Sequence, residues 1–214
     1  MFRSWDTTVL VVDDFEAIDD APDSVDWINA AVDRNSAAEL NNIKELAEQH
    51  AQLDELVFTF DDTVHMKADG ADVFDFLNRA DLWPERLPHV ARLDLTEDEP
   101  GVQVMAMDTS TADGSVHTTE SIRVVFSPDR IVYKQTTVPG LMTAHTGRWT
   151  IVETADGVDV TSRHTVTLRT DTIEKYLGEG KTVADARAYV HRALSTNSTN
   201  TLKLARGYAE ALRG

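Results

Sequence analysis

The chain is 214 residues long, 42% hydrophobic and free of cysteine, and its 37 acidic against 20 basic side chains leave a formal charge of −17. That length holds one ordinary domain plus an extension and that apolar content builds a real core, while the missing thiols remove disulfides, thiol nucleophiles and thiolate metal sites. The acidic balance without Lys/Arg clusters argues against nucleic acid, and no long apolar window or signal-like N-terminus suggests a membrane, so a cytoplasmic protein working through oxygen and nitrogen groups is expected.

In chain order, TTVLVVDD at 7–14 reads as a strand and DWINAAVDRNSAAELNNIKELAE at 26–48 as a long helix. The same phrase returns without a gap as AYVHRALSTNSTNTLKLARGYAE at 188–210, with identities at Asn35/Asn197, Ser36/Ser198, Leu40/Leu202 and the Ala47-Glu48/Ala209-Glu210 pairs. TVTLRTD at 165–171 resembles the first strand, so each copy reads as a last strand followed by a long helix. A repeat this distant predicts tandem domains rather than a solenoid. Residues 1–52 are therefore expected to be the last strand and helix of a preceding domain plus a linker, and 53–214 one complete domain. Trp27, Ile28, Ala31 and Val32 then need another surface: the complete domain, a second copy in a homodimer, or a missing N-terminal half. The acidic runs at 13–23 and at Glu97-Asp98-Glu99 read as solvated surface. An acidic partner protein would need a basic spot, and Arg79, Arg86 and Arg92 around Trp83 are the nearest candidates.

The complete domain opens with a strand marked by Leu56, Phe58, Phe60 and Val64, then a short helix over 71–78 burying Val73, Phe74, Phe76 and Leu77, and a second helical piece from Leu82-Trp83-Pro84. Six strands follow at 90–96, 102–109, 116–126, 131–137, 145–153 and 158–168, separated by turns at Pro100-Gly101, Asp113-Gly114, Pro128-Asp129, Pro139-Gly140 and Asp156-Gly157. A long helix over 183–212 closes the chain, capped by Thr182 with Asp185 three residues on. Its apolar face runs Val183, Ala186, Val190, Ala193, Leu194, then Asn197 and Thr201, then Leu204, Tyr208 and Leu212. Asn197 and Thr201 either satisfy themselves locally or line a polar part of a cavity between helix and sheet.

Period-two alternation sorts the strand faces. On 116–126 one face carries His117, Thr119, Ser121, Arg123 and Val125; the other carries Val116, Ile122, Val124 and Phe126, and apolarity alone favours that second face as buried. A sheet wrapping a polar ligand would aim the first face inward instead. The later strands present Ile131, Tyr133 and Gln135, then His145, Gly147, Trp149 and Ile151, then Val158, Val160, Ser162, His164, Val166 and Leu168. These sets are apolar at their ends and polar in the middle, which describes an amphipathic pocket better than a dry core. Arg123 either pairs with a surface carboxylate or directs a permanent cation at a ligand oxygen. His145 and His164 are acid/base groups or hydrogen-bonded structural residues, and Tyr133 donates a proton or packs. No His or carboxylate spacing suits a metal, and neither a nucleophile elbow nor a phosphate loop is present.

LWPERLPHVARLDLTED (82–98), DGSVHTTESIRVVF (113–126), IVYKQTTVPGLMTAHTGRWTI (131–151) and SRHTVTL (162–168) resemble the aromatase/cyclases of bacterial type II polyketide synthases, members of the helix-grip superfamily that includes START lipid-transfer domains and the birch-pollen allergen. VDDFEA, DAPDS, WIN and DRNS between 12 and 36 resemble the end of the first domain in the didomain kind. The resemblance implies an α+β helix-grip fold, a curved antiparallel sheet of about seven strands wrapped around the long C-terminal helix, with an extra N-terminal strand-helix segment. It implies cofactor-independent aldol cyclisation, dehydration and aromatisation of the first ring of a poly-β-ketone carried by an acyl carrier protein. A non-catalytic binding or scaffold domain for such intermediates, or for another hydrophobic ligand, is the alternative. The resemblance moves Arg123, in its Ser121 to Val124 context, into the pocket as a catalytic group, with Tyr133, His145 and His164 beside it. It also places Trp83 and Trp149 at aromatic pocket or mouth positions, while the strand faces and the helix stripe put Ser121, Gln135, Ser162, Asn197 and Thr201 among the expected substrate contacts. Where some relatives carry a tyrosine this chain has Val90, so that proton donor is absent and Tyr133, His145 and His164 are the candidates to substitute for it.

Overall fold

Seven antiparallel strands in the order β1-β7-β6-β5-β4-β3-β2 form one curved sheet in the computed structural model, which describes residues 22–48, 50–110 and 116–213. The strands are β1 (Val57–Met66), β2 (Val90–Glu99), β3 (Val102–Ser110), β4 (Val116–Phe126), β5 (Arg130–Thr137), β6 (Met142–Glu153) and β7 (Val158–Leu168). From β2 to β7 the chain meanders between neighbours, as short turns require. Gly101, at φ +80, makes the β2–β3 turn, and its left-handed backbone explains glycine after Pro100. β1 pairs with β7 instead, so the chain must travel from one sheet edge to the other between β1 and β2. That traverse is α3 (Gly70–Asn78), a 3-10 turn at Ala80–Leu82 and α4 (Trp83–Arg86). Asp69 caps α3 by accepting from the Ala71 N–H at 2.9 Å.

The chain divides into two compact units, Met1–Leu53 and Asp54–Gly214. The first unit is described by α1 (Pro22–Glu48), followed by α2 (His50–Leu56) at the boundary. Trp27 and Ile43 on α1 are 69% and 60% exposed, and Ile28, Ala31 and Val32 are half-buried. The expected strand at 7–14, the acidic run at 13–20 and the Asp113-Gly114 turn lie outside the described residues.

In the second unit α6 (Val183–Leu212) crosses the sheet, and α5 (Ile173–Leu177), an element the sequence did not announce, leads into it. The α6 cap is a full capping box: Thr182 Oγ1 accepts from Asp185 N at 3.3 Å while Asp185 Oδ2 accepts from Thr182 N at 2.9 Å. On β7 the inward set from Val158 to Leu168 is buried at every second residue, as its alternation predicts. Two apolar clusters result. One joins Phe76, Leu77, Trp83, Met105, Trp149 and Val160 to Leu202, Ala205 and Ala209; the other joins Phe58, Leu141, Val166 and Ile173 to Ala186 and Val190. Each fully buried aliphatic or aromatic side chain contributes roughly 1.5–3 kcal/mol. Between the clusters lies a polar band of His145, Ser162, His164, Ser198 and Thr201.

Several expectations are corrected. The buried row of α6 after Asn197 is Ser198, Thr201, Leu202, Ala205 and Ala209, whereas Leu204 and Leu212 point outward. Leu202, Ala205 and Ala209 pack into the cluster that holds Val73, Phe76 and Leu77 of α3. On β4 the more apolar face turns out: Ile122 and Phe126 are exposed while Arg123 is buried. The first strand starts after Leu56, which ends α2, and β6 starts at Met142, ahead of the irregularity in its pairing with β7. Phe74 is half-buried rather than buried.

Candidate active site

Two adjoining chambers of about 140 and 330 Å³ lie between the sheet and α6 and share Met107, Thr119, Gln135, Leu194 and Asn197 in their walls. The inner chamber runs to Trp83, Leu87 and Val90; the outer is bounded by Pro139, Leu141, Tyr176 and Tyr189. Arg123 lies at the inner end. It is 2% exposed, donates from Nη2 to the Leu77 carbonyl at 2.6 Å, and its guanidinium lies 5.0 Å from the Trp83 ring. Trp83 is itself pinned by its indole N–H donating to the Phe76 carbonyl at 3.2 Å. Arg123 Nε and Nη1 are buried without a hydrogen-bond partner. Unmade hydrogen bonds on a buried cation are costly, and here they belong to a group lining a cavity. Burial lowers the Arg123 pKa to about 10, partly opposed by Glu97, so the side chain remains a cation at neutral pH.

Glu97 is the carboxylate whose charge favours the Arg123 cation. Its carboxylate accepts from the Gly101 N–H at 2.8 Å and from Gln103 Nε2 at 2.8 Å, and Gln103 is the cross-strand neighbour of Arg123. Those hydrogen bonds, from Gly101 first, hold the Glu97 carboxyl below its usual range. Glu97 is exposed, as expected of its run, and is held in place by these two hydrogen bonds.

Arg123 pairs across strands with Tyr133, and Tyr133 with Gly147, which pairs with His164. Because Gly147 has no side chain, Tyr133 lies across β6, and its hydroxyl reaches within 3.2 Å of His164 Nδ1. His164 Nδ1 is also 3.0 Å from His145 Nε2, and His145 Nδ1 is 2.8 Å from Gln135 Oε1. Ser162 Oγ closes the far end, 3.1 Å from His164 Nε2. Burial, and secondarily His164, lowers the His145 pKa to about 3; burial lowers that of His164 to about 4 against Asp62 and Asp61. Both rings are therefore neutral at neutral pH. Burial raises the Tyr133 pKa, which keeps the phenol protonated.

The imidazoles make stability pH-dependent. The unfolded chain takes up protons below a histidine pKa of about 6.5 while the folded rings stay neutral, so their stabilising effect is full above that pH and is lost as pH falls toward 4 and 3. At pH 5 the loss is on the order of 2 kcal/mol per ring. Urea midpoints compared between about pH 7.5 and pH 5 are expected to fall, and to fall less in His145→Asn; equal slopes in parent and variant would mean that His145 is protonated in the fold.

On the helix side Asn197 and Thr201 line the inner chamber, Asn197 from an exposed position and Thr201 from a buried one. Asp62 on β1 clamps α6 by accepting from Ser195 Oγ and Ser198 Oγ, each at 2.6 Å. Sequence reasoning missed this clamp, although a carboxylate on the apolar face of Phe58, Phe60 and Val64 was its signal.

Of the residues expected at the site, Arg123, Tyr133, His145, His164, Trp83, Ser121, Gln135, Trp149, Asn197 and Thr201 all line the inner chamber. Ser162 is wholly buried behind His164 and does not line it. Val90 is an apolar wall of the same chamber. The basic spot expected at Arg79, Arg86 and Arg92 is not a free one. Arg79 is bound twice by Asp81, at 2.9 and 2.7 Å; Arg86 stacks on Phe76 and Tyr208 with Asp75 at 3.7 Å; Arg92 pairs with Asp94 and with Asp108 at 2.8 Å. Among the described residues no helix is long and apolar enough to cross a membrane.

Residues 57–203 match the family model described as polyketide cyclase / dehydrase and lipid transport. The chain is 42% identical over 207 residues to the actinorhodin polyketide synthase bifunctional cyclase/dehydratase of Streptomyces coelicolor, covering 92% of this chain and 63% of the relative. It therefore spans less than two thirds of that relative's length. Among solved structures, the di-domain ARO/CYC BexL from the BE-7585A biosynthetic pathway superposes with TM-score 0.81 at 53% identity, over 90% of this chain and 63% of that one. The di-domain ARO/CYC StfQ from the steffimycin pathway does so with TM-score 0.81 at 43% identity, over 86% and 62%.

Proposed function

The chain belongs to the polyketide cyclase / dehydrase and lipid transport family, and from that premise we propose that it is an aromatase/cyclase acting on the first ring of a poly-β-ketone delivered by an acyl carrier protein. The observation that carries the reading is Arg123: a buried cation with two unspent nitrogens in the wall of an amphipathic chamber. A methylene between two ketones enolises readily, so the protein's task is to fold the chain and polarise the carbonyl under attack. The enolate carbon bonds to that carbonyl carbon, the carbonyl π bond opens, and the negative charge gathers on an oxygen facing the guanidinium. The proton released on enolisation returns to that oxygen and gives the aldol; loss of its hydroxyl as water, and of a second water where a ring carbonyl has first been reduced to an alcohol, with enolisation of the remaining ketone gives the aromatic ring. Donors fixed before reaction stabilise the oxygen without reorganising, and in this low-dielectric site they act more strongly than in water. The outer chamber accommodates the rest of the ketide chain.

Residues 1–52 are read as the end of a preceding helix-grip domain, and 53–214 as the cyclising domain. The repeat at 26–48 and 188–210 and the di-domain character named for BexL and StfQ support this. The chain supplied alone to a minimal synthase and a ketoreductase is expected to yield the singly aromatised product. Product that forms only when a first helix-grip domain is added in trans would replace this reading by that of a scaffold domain.

A further inference from the structure

Gln135 on β5, His145 on β6 and His164 and Ser162 on β7 form a hydrogen-bonded chain whose direction is set by counting hydrogens. Gln135 Oε1 can only accept, so His145 carries its single hydrogen on Nδ1. His145 Nε2 is then a lone pair, which requires the hydrogen of His164 to be on Nδ1. His164 Nε2 in turn accepts from the Ser162 hydroxyl. The fifth member decides against the reverse order. Tyr133 Oη stands 3.2 Å from the same His164 Nδ1. Were that nitrogen unprotonated, the Tyr133 hydroxyl and the His145 N–H would compete for one lone pair; protonated, it shares its hydrogen between two acceptors, a common three-centre arrangement. Tyr133 therefore accepts within the chain and does not spend its own hydrogen there.

Tyr133 lines the inner chamber beside its cross-strand neighbour Arg123. We propose that the Ser162-His164-His145-Gln135 chain runs in one direction and turns the Tyr133 O–H into the chamber, as a second donor to the oxygen that Arg123 serves. Ser162, which touches no ligand, and Gly147, which leaves room for the phenol over β6, are then positioning residues for Tyr133. The ligand class is a ketone or enolate oxygen. Only this last consequence rests on the cyclase reading; the direction of the chain stands on the hydrogen-bond geometry of two neutral rings.

Nitrogen-15 imidazole correlation spectra of the unaltered chain at neutral pH test the direction without turnover. Both His145 and His164 are expected as neutral Nδ1–H tautomers, the less common form of free histidine, and an Nε2–H tautomer at either ring overturns the proposal. Kinetics test the consequence. Ser162→Ala is expected to lower kcat about tenfold with KM unchanged, and Ser162→Cys, which keeps a weak donor, to recover part of it. An unchanged kcat in Ser162→Ala removes the positioning role. A chain with the expected tautomers but no product counts against the cyclase reading alone, and an active chain with the opposite tautomers counts against this proposal alone.

Discussion

Arg123→Met is expected to lower formation of the aromatised product by about a thousandfold, the scale of losing an oxyanion donor in a water-poor site, while leaving the fold intact. The two effects separate because the arginine is costly to hold. Its lowered pKa corresponds to roughly 3 kcal/mol of burial penalty, and one hydrogen bond to Leu77 with stacking on Trp83 is modest compensation. Replacing a buried ion by an apolar side chain of similar volume is often neutral or stabilising. The melting temperature of Arg123→Met is thus expected to equal or exceed that of the parent. Arg123→Lys is no conservative control, since an ammonium cannot reach Leu77, Trp83 and a ligand oxygen with fixed planar donors. Normal product from Arg123→Met would remove the residue from the mechanism, and a collapsed fold would mean that its structural role dominates.

Gly147→Ala is expected to damage both stability and turnover. A Cβ there would fall on the Tyr133 hydroxyl and ring carbon and 2.7 Å from the Arg163 carbonyl oxygen. The phenol can rotate away only by leaving His164, and the backbone oxygen cannot move without opening the β6–β7 ladder. Overpacking of this kind costs about 2–3 kcal/mol, which is about 5–10 °C in melting temperature for a chain of this size. Product formation should drop about tenfold or more, because Tyr133 no longer shares the inner chamber with Arg123 in the same pose. A thermal melt within ~2 °C of the parent would show that β6 yields to the extra methyl.

The sequence was most legible where one element decides its own state. The alternation of Val158, Val160, Ser162, His164, Val166 and Leu168 predicts β7 and its inward face because period two is a local property of extended backbone. Thr182 and Asp185 mark the start of α6 for the same reason, since a capping box closes within four residues. It misled where hydrophobicity competed with architecture. Ile122, Val124 and Phe126 make the outward face of β4 look like its core face, because the inner face serves a cavity that needs Ser121 and Arg123. On α6 large apolar residues drew the stripe toward Leu204 and Leu212, while contact with α3 selected Ala205 and Ala209. The arginines near Trp83 looked available although Asp81 and Asp94 stand two residues from Arg79 and Arg92; the partners Asp75 of Arg86 and Asp108 of Arg92 are brought up by folding.

By itself, then, the sequence determined the seven strands and the long C-terminal helix, though not α2 or α5, the alternation that puts Arg123, Tyr133, His145 and His164 on definite faces, and, through its motifs, the family. Those are properties of backbone period and of residues near one another in the chain. Tertiary structure alone decided which face is covered, that Gly147 admits Tyr133 to His164, that Ser162 stands behind the site, and that Asp62 clamps α6 through Ser195 and Ser198. Each of these depends on strand register and helix position, where side chains far apart in sequence meet within hydrogen-bonding distance, and a shift of one residue would reverse every face.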